Sequence, residues 1–600
     1  MNKKLALAVA GACLLMAAGA PSYAATASAP AHEAAGSATG ADAQFKAIYT
    51  QEWKWRQSQK LEDGEDDTGD AISAELPHVD PKTQAARLQY WEGVLHRLDA
   101  LAPASLSAAE QINYAVYRAQ IAALVAEQRY REYEKPLNAD SAFWTYMTYA
   151  AERPFHTEAD YRAYLKQLND VPRYFGEQIA NMRAGLARGF TPPRVTLTGR
   201  DGSITSVSEA KTPQDVELYA PFRQMPASIP AATQAELRAA AAQAIRDAVQ
   251  PSFAKLLKFM REDYVPHATV ALAAESLPDG KAYYQSKIVE FTTTSLSADQ
   301  IHQLGLSEMA KIRAEMQDVI KQTGFQGDLP AFLQFLRTDP QFYAKTPQEL
   351  LMRAAWIAKK FDGKADQYFG YLPRRRFAIT PVPLDQAPFY TSGRGGPGVY
   401  LVNTYNLPAR ALYSLPALTL HESAPGHAFQ MPVAMEQKGR PAFRRAYISA
   451  YGEGWALYCE RLGSEMGIYE TPYETFGMLS YQAWRAARLV VDTGIHAQGW
   501  TREQAQAYLH DNTALSDHEI ETEVDRYISW PGQALSYYLG EMSIINARKK
   551  AEAALGARFD IRNFHDTVLQ LGSVPLPVLE ARIDRFIADG GKSPYPPSKD

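Results

Sequence analysis

Between residues 418 and 431 the chain reads LTLHESAPGHAFQM, with Glu422 beside His421 and a second histidine, His427, six residues after the first. Two imidazoles and a neighbouring carboxylate are the materials of a hydrolytic metal site: the histidines hold a cation, and the glutamate takes a proton from water. The familiar helical version, H-E-x-x-H, sets its histidines four apart on one face. Six residues turn an ideal helix through about 600°, which would leave His427 roughly 120° away from the face of His421. Pro425 has no amide N–H and clashes with the carbonyl four residues back, and Gly426 accepts unusual dihedrals. The pattern therefore predicts a helix that bulges at Pro425-Gly426 and turns His427 back toward His421.

A zinc hydrolase needs a third protein ligand and an open coordination position. Glutamate-ligand sites place it on a second helix, some twenty-five residues beyond the second histidine. Glu453, in SAYGEGWALYCERLG, follows His427 by 26 residues and opens a helical run. Glu460 lies on the same face two turns later. Trp455, Ala456, Leu457 and Tyr458 make this helix apolar nearly all round, which implies burial, and buried carboxylates need partners. Glu453 is accordingly the expected third ligand, with one zinc ion per chain, and Glu460 is expected to hold a histidine by its other ring nitrogen. Cys459 is off the Glu453 face and reads as a packing residue.

These residues must be positioned by helices. KAIYTQEWKWRQSQK, AEQINYAVYRAQIAALVAEQRYREYE and QAELRAAAAQAIRDAVQPSFAKLLKFMREDY carry apolar residues at three- and four-residue steps. Residues 297–324 read as a capped helix between Ser297 and Gly324. Strand signals are few: RVTLTGRDGSITSV (194–207) reads as a hairpin turning at Asp201-Gly202, and 374–383 and 398–406 read as short strands ahead of the histidine motif. The expected fold is mainly α: a large helical two-lobed fold around a deep cleft, with a small β-sheet next to the metal-site helix.

At the N-terminus, Lys3 and Lys4, the apolar run LALAVAGACLLMAAGA and Ser22-Tyr23-Ala24 read as a secretory signal cleaved after Ala24. Residues 25–44 are Ala/Ser/Gly-rich and read as a disordered leader, and 45–595 as a single large domain. The flanks of Cys13 make a poor lipid-attachment signal, so a periplasmic or secreted protein without a membrane association after cleavage is expected. The formal net charge of −5 offers no basic surface for nucleic acid. Neither a phosphate-binding G-x-x-x-x-G-K-[ST] loop nor a G-x-S-x-G serine elbow is present.

HESAPGH (421–427), GEGWALYCERLG (452–463), RLVVDTGIHAQGWTREQA (488–505) and DRYISWPGQALSYYLG (525–540), with FKAIYTQEWKWR near residue 45 and LPDGKAYYQSKI (277–288), resemble the bacterial family catalogued as domain of unknown function 885. That family is similar to zinc peptidases of the thimet oligopeptidase and angiotensin-converting enzyme type, which are helical molecules with the metal on the floor of a cleft. The resemblance implies His421, His427 and Glu453 as ligands and Glu422 as the base. It also implies that a tyrosine or histidine on a later helix stabilises the oxyanion; His496, Arg526, Tyr527, Tyr537 and Tyr538 lie downstream, and Tyr538 and His496 are the favoured candidates. Asp492, four residues before His496, offers that histidine a purely structural partner instead.

Substrate contacts are expected from Tyr400 and Asn403 in GGPGVYLVNTYN, where Gly395 and Gly396 allow close approach to an extended peptide, and from Arg526 and Tyr527 before the Pro-Gly-Gln turn. The Arg374-Arg375-Arg376 run either grips a carboxylate or is a solvated strand edge. The leading expectation is an exported zinc metallopeptidase acting on short peptides. Two alternatives stay open: a zinc amidase acting on cell-wall or non-peptide amides, and a helical peptide-binding protein without turnover, for which Glu422 would have no use.

Overall fold

The computed structural model describes residues 40–59, 73–139, 141–384 and 387–596. The expected signal segment lies outside them. Residues 40–44, assigned above to the leader, are instead the first turn of a helix, Gly40–Ser58, tied down where the Asp42 carboxylate accepts the Ser107 amide. The molecule is mainly α, as expected, with one small sheet.

Seven helices position the candidate site. Helix α1 (Ala298–Thr323) starts where the Ser297 hydroxyl accepts the Gln300 amide, Gln300 accepts the Ser297 amide, and it stops at Gly324 in the left-handed region. Helices α2 (Leu415–Glu422) and α3 (His427–Glu436) carry the histidine motif. They are followed by α4 (Ser449–Glu465), α5 (Pro472–Gln498), α6 (Asp517–Ser529) and α7 (Ser536–Leu555). Every residue of α5 from Phe476 to His496 is buried, so this helix is the axis of the core, with α1 packed along it. Helices α4 and α7 cross at glycines: a Cβ on Gly454 would lie 2.4 Å from the Gly540 backbone, and one on Gly540 1.9 Å from the Ala450 carbonyl. That approach brings Glu453 and Tyr537, on facing helices, to one place. Burial of Trp455, Leu457 and Leu462, each contributing about 1.5–3 kcal/mol, offsets the cost of taking the α4 carboxylates out of water.

Apolar side chains gather in two main cores. The larger runs from Phe45 to Phe586 and includes residues from all seven helices, and the smaller gathers residues between Leu76 and Ala268.

The sheet has the order β1-β3-β2, with β1 (Ala378–Pro381) parallel to β3 (Val399–Val402) and β2 (Gly393–Gly396) antiparallel to it. In register, Ala378 and Gly396 both lie opposite Val399. The strands expected within 374–383 and 398–406 are present but only four residues long. Strand β2 was not anticipated, because three of its four residues are glycine, a type depleted from strands. The expected hairpin at 194–207 is absent. Arg194–Thr196 is a single 3-10 turn and Gly202–Ser208 a short helix, in which Ile204 and Val207, three apart, are the buried pair. Packing of that face against neighbouring helices overrides the strand preference of its β-branched residues.

Candidate metal centre

Helix α2 does not bulge at the Pro-Gly pair; it ends. After Glu422 the backbone leaves helical geometry at Ser423, passes through a cis Ala424-Pro425 peptide, and re-enters a helix at His427. The turn is held by the Gly426 amide donating to the Leu420 carbonyl and by Trp455 Nε1 donating to the Pro425 carbonyl. A full break achieves what a bulge was expected to do. The two imidazoles lie with ring centroids 5.0 Å apart and planes at 84°, both buried.

Both Nε2 atoms face one oxygen of Glu453, His421 at 3.5 Å and His427 at 3.3 Å. Ligands held about 2.0–2.1 Å from a tetrahedral zinc stand about 3.3–3.4 Å apart, so each histidine already stands at about a coordination tetrahedron's edge from the Glu453 oxygen, and the three ligand atoms lie within 4.8 Å of one another. His421, His427 and Glu453 form one of two groups of potential ligands among the described residues; the other, His78, Asp80 and Glu177, is surface-lying, and its carboxylates are taken up by the Asp80 helix cap and Arg173. Around the buried triad, Glu460 accepts from His421 Nδ1 at 2.8 Å, as expected, and so makes Nε2 the nitrogen that would ligate. Tyr447 donates its hydroxyl to the second Glu453 oxygen at 3.0 Å. Arg485 stands 3.5 Å behind Glu460, its guanidinium lying against Tyr481 and Trp484.

The electrostatics fit a cation site. Burial works against a charged His421, but hydrogen bonds to Glu453 and Glu460 and the charge of Glu422 outweigh it and hold the imidazole up to about 9. Burial likewise opposes the Glu453 charge, yet the two imidazoles hold that carboxyl well below its usual range. The pocket stabilises positive charge among carboxylates, which a divalent ion supplies more fully than a proton does.

Glu422 is not part of the triad. Its Oε2 accepts the Gly395 amide at 2.6 Å, and it is only partly buried while its neighbours on both sides are buried. Strand β2 reaches it because Gly395 has no side chain: a Cβ there would lie 1.7 Å from the Glu422 carbonyl. The close approach expected at Gly395 is thus to α2 itself.

Other expected site residues are elsewhere. His496 is fully buried, with Nδ1 accepting the Ala274 amide and Nε2 bonded to the Tyr527 carbonyl. Burial pushes it down to about 4, so it is a neutral structural histidine. Asp492 is not its partner; it accepts from Tyr284 and the Gly532 amide. Tyr538 points away and donates to Glu308 of α1. Its neighbour Tyr537 has the position assigned to it, with its ring stacked 6.4 Å from that of His421. Tyr400 is buried against Thr419, and Asn403 spends its amide on the Ala387 and Tyr390 carbonyls and the Tyr405 amide, so neither side chain is open to a substrate. Tyr527 is buried and accepts from Trp484 and Arg488. Arg526 does adjoin the site, donating to Gln533 and to the Tyr537 hydroxyl. Arg374 and Arg376 are solvated, 83% and 73% exposed. Cys459 is a buried thiol packed in α4.

Tyr447, Arg485 and Arg488 escaped the sequence reading, and Tyr537 stood among its candidates but was passed over for its neighbour Tyr538. The one available signal was the Gly-Glu-Gly around Glu453: Gly454 admits α7, and Gly452 admits the Tyr447 ring, 2.3 Å from where a Cβ would be.

No described helix is long and apolar enough to cross a membrane. No curated protein matches the chain. Among solved structures, the chain is similar to a protein of Colwellia psychrerythraea described as a candidate lipoprotein, with a TM-score of 0.83 at 25% identity over 92% of this chain and 100% of that one. It also shares the fold of a candidate lipoprotein of unknown function from Shewanella oneidensis, with a TM-score of 0.67 at 18% identity over 91% of this chain and 99% of that one. A family model described as "bacterial protein of unknown function (DUF885)" matches residues 62–583, and the chain belongs to that family.

Proposed function

We propose that this chain is an exported, zinc-dependent peptidase that hydrolyses short peptides, with Glu422 as general base. One observation carries the reading: two imidazole nitrogens 3.5 and 3.3 Å from one carboxylate oxygen, with a partly open carboxylate on the residue next to the first histidine. The donor set suits zinc, which when bound supplies the Lewis acidity that makes water an acid near neutral pH and polarises a carbonyl. The chain's own groups do the rest. Gly395 holds one Glu422 oxygen, leaving the other to take a proton from water and return it to the leaving amine. Glu460 keeps the His421 proton on Nδ1. The Tyr537 hydroxyl, aligned by Arg526, donates to the oxygen of the carbonyl under attack.

The sheet favours peptides over other amides. Strand β2 is an edge strand beside Glu422, which takes its Gly395 amide, and an extended main chain would add to the edge groups that remain. Export is supported by the lysine-led apolar run at the N-terminus and by the description of both similar structures as candidate lipoproteins. The similarity to thimet-oligopeptidase-type enzymes stands as part of the same proposal.

The test is a digest of a synthetic peptide mixture, read by mass spectrometry, beside a panel of simple aryl and alkyl amides. Peptide cleavage that disappears on chelation and returns with zinc is expected; metal-loaded protein that cleaves only simple amides, or nothing, overturns the reading. Within it, Tyr537→Phe should lower kcat about 10²-fold, whereas Tyr538→Phe, which loses only its bond to Glu308, leaves kcat unchanged.

A further inference from the structure

The helix Pro347–Asp362 packs against α2 and β1 and buries Ala354, Ile357 and Phe361 on its inner side. Its outer side breaks the polar pattern of a surface helix. Met352 and Trp356, one turn apart there, are 61% and 60% exposed, and Ala355 between them is exposed as well. Of the nine tryptophans, Trp356 alone is exposed. Leu351, next to Met352, shares an open groove with Pro381, Pro383 and Leu384, and Leu384 is 88% exposed. Single exposed apolar residues are ordinary, but a contiguous group marks a surface that something covers.

The same segment is basic. Residues 345–376 hold eight Lys and Arg against three Asp and Glu, in a chain whose formal net charge is −5. Neighbouring carboxylates answer part of that charge. Arg353 pairs with Glu349, Lys359 and Arg376 share Asp362, Lys360 reaches Glu470, and Arg374 stands 3.8 Å from Glu436. Glu436 is also occupied by the Arg374 and Arg375 amides and the Tyr371 hydroxyl. Asp366 faces Arg562, and the nearby Glu465 and Asp560 are gripped by Arg548 and Arg562. Five carboxylates thus answer eight cations, and Lys359, Arg374 and Arg376 keep their charged ends in solvent.

Charge and shape together select the occupant. A second copy docking through the same face would lay one basic surface on another, at an electrostatic cost. A folded partner recognises apolar anchors by seating them in pockets, whereas a bilayer needs only a convex apolar face that enters it. Tryptophan at the level of the headgroups, aliphatic side chains beside it and Lys or Arg reaching the phosphates make an interfacial surface. We infer that the outer side of Pro347–Asp362, together with the Arg374-Arg375-Arg376 run, docks this protein peripherally on an anionic phospholipid bilayer. The contact needs no spanning helix, and it replaces the sequence expectation of a protein without membrane association. It also gives the arginine run a phosphodiester to bind, where the sequence offered only a carboxylate grip or a solvated edge. The inference is independent of the peptidase reading.

The experiment is co-sedimentation of the chain from Ala25 onward, so that the apolar N-terminal run takes no part, with two kinds of vesicle. One is phosphatidylcholine alone, and the other contains about one-third phosphatidylglycerol. Binding to the mixed vesicles alone is expected, and it should weaken as salt rises from about 0.05 to 0.5 M and screens the phosphates. Arg374→Gln with Arg376→Gln should weaken it about 25-fold, since each Lys or Arg near an anionic surface contributes about fivefold. Trp356→Ser should weaken it about tenfold through the apolar area kept in water. Val270→Ser, which removes a side chain 74% exposed outside the patch, should leave binding unchanged. All these side chains are at the surface, so thermal unfolding of each variant should match the parent. No binding to the mixed vesicles, equal binding to both kinds, or binding that survives the tryptophan and arginine substitutions overturns the inference. A dimer in analytical ultracentrifugation that Trp356→Ser dissolves, without any vesicle binding, also overturns it and makes a second copy the occupant.

Discussion

Glu422→Gln should lower kcat on any cleaved peptide by about 10³-fold, within the range for removing a positioned general base, and leave the metal content unchanged. The two halves of that expectation come from different atoms. Metal retention follows because His421, His427 and Glu453 converge without Glu422, whose Oε2 is turned instead to the Gly395 amide. A glutamine oxygen can accept that same amide, so the β2–α2 contact and the turn at Ser423 survive. Loss of turnover follows because a carboxamide cannot accept a proton from water at neutral pH. Metal analysis and steady-state kinetics on one preparation read both halves. A glutamine variant that stays active moves the base elsewhere; one that loses its metal makes Glu422 a ligand and dissolves the triad as described. The pairing also separates catalysis from peptide binding without turnover, because a binding protein would be indifferent to the change.

The triad was legible in the sequence because ligand chemistry restricts residue types and spacing. His421, Glu422, His427 and Glu453 could be picked out, and even Glu460 followed from its place two turns along α4. The geometry joining them was only half legible: Pro425 and Gly426 announced a distortion, but whether a helix bulges or breaks is decided by what receives the freed backbone groups, here Trp455 and Leu420. Tyr537 and Tyr538 show a different limit. Adjacent helix residues point about 100° apart, and which one meets His421 depends on how α7 rolls on α4, which the Gly454–Gly540 crossing settles. His496 misled because the resemblance calls for a tyrosine or histidine on a later helix, whereas its two nitrogens are bound by main-chain groups more than 30 residues away in sequence. The helix capped by Ser297 and closed by Gly324 was readable from local signals alone, while Gly202–Ser208 was not, since its β-branched residues fit a strand until tertiary packing chose the helix.

Zinc affinity should rise about tenfold for each pH unit up to about pH 9, with one proton released per ion bound, and His427→Ala should hold about one equivalent less metal than the parent. In the metal-free chain burial disfavours a charged His421, but Glu453, Glu460 and Glu422 together hold it up to about 9, so at neutral pH a proton occupies the ring that must ligate. The cation has to displace it. The sign for the fold is the opposite of the sign for binding. Because the folded-state value lies above the ordinary 6.5, the protonated ring stabilises the metal-free fold fully below pH 6.5, and that contribution is lost as pH rises through about 9. Over the same interval the site becomes a better ligand. Thermal unfolding of stripped and loaded protein should therefore diverge between pH 6.5 and 9, with the gap widening as pH rises. Competition with a chromophoric chelator at several pH values measures the affinity, and a weakly buffered indicator counts the proton. An affinity flat across pH 6.5–9 would mean that no proton has to leave His421 for the cation to bind, and a His427→Ala chain that still binds stoichiometrically would mean that the ring facing Glu453 at 3.3 Å is not a ligand.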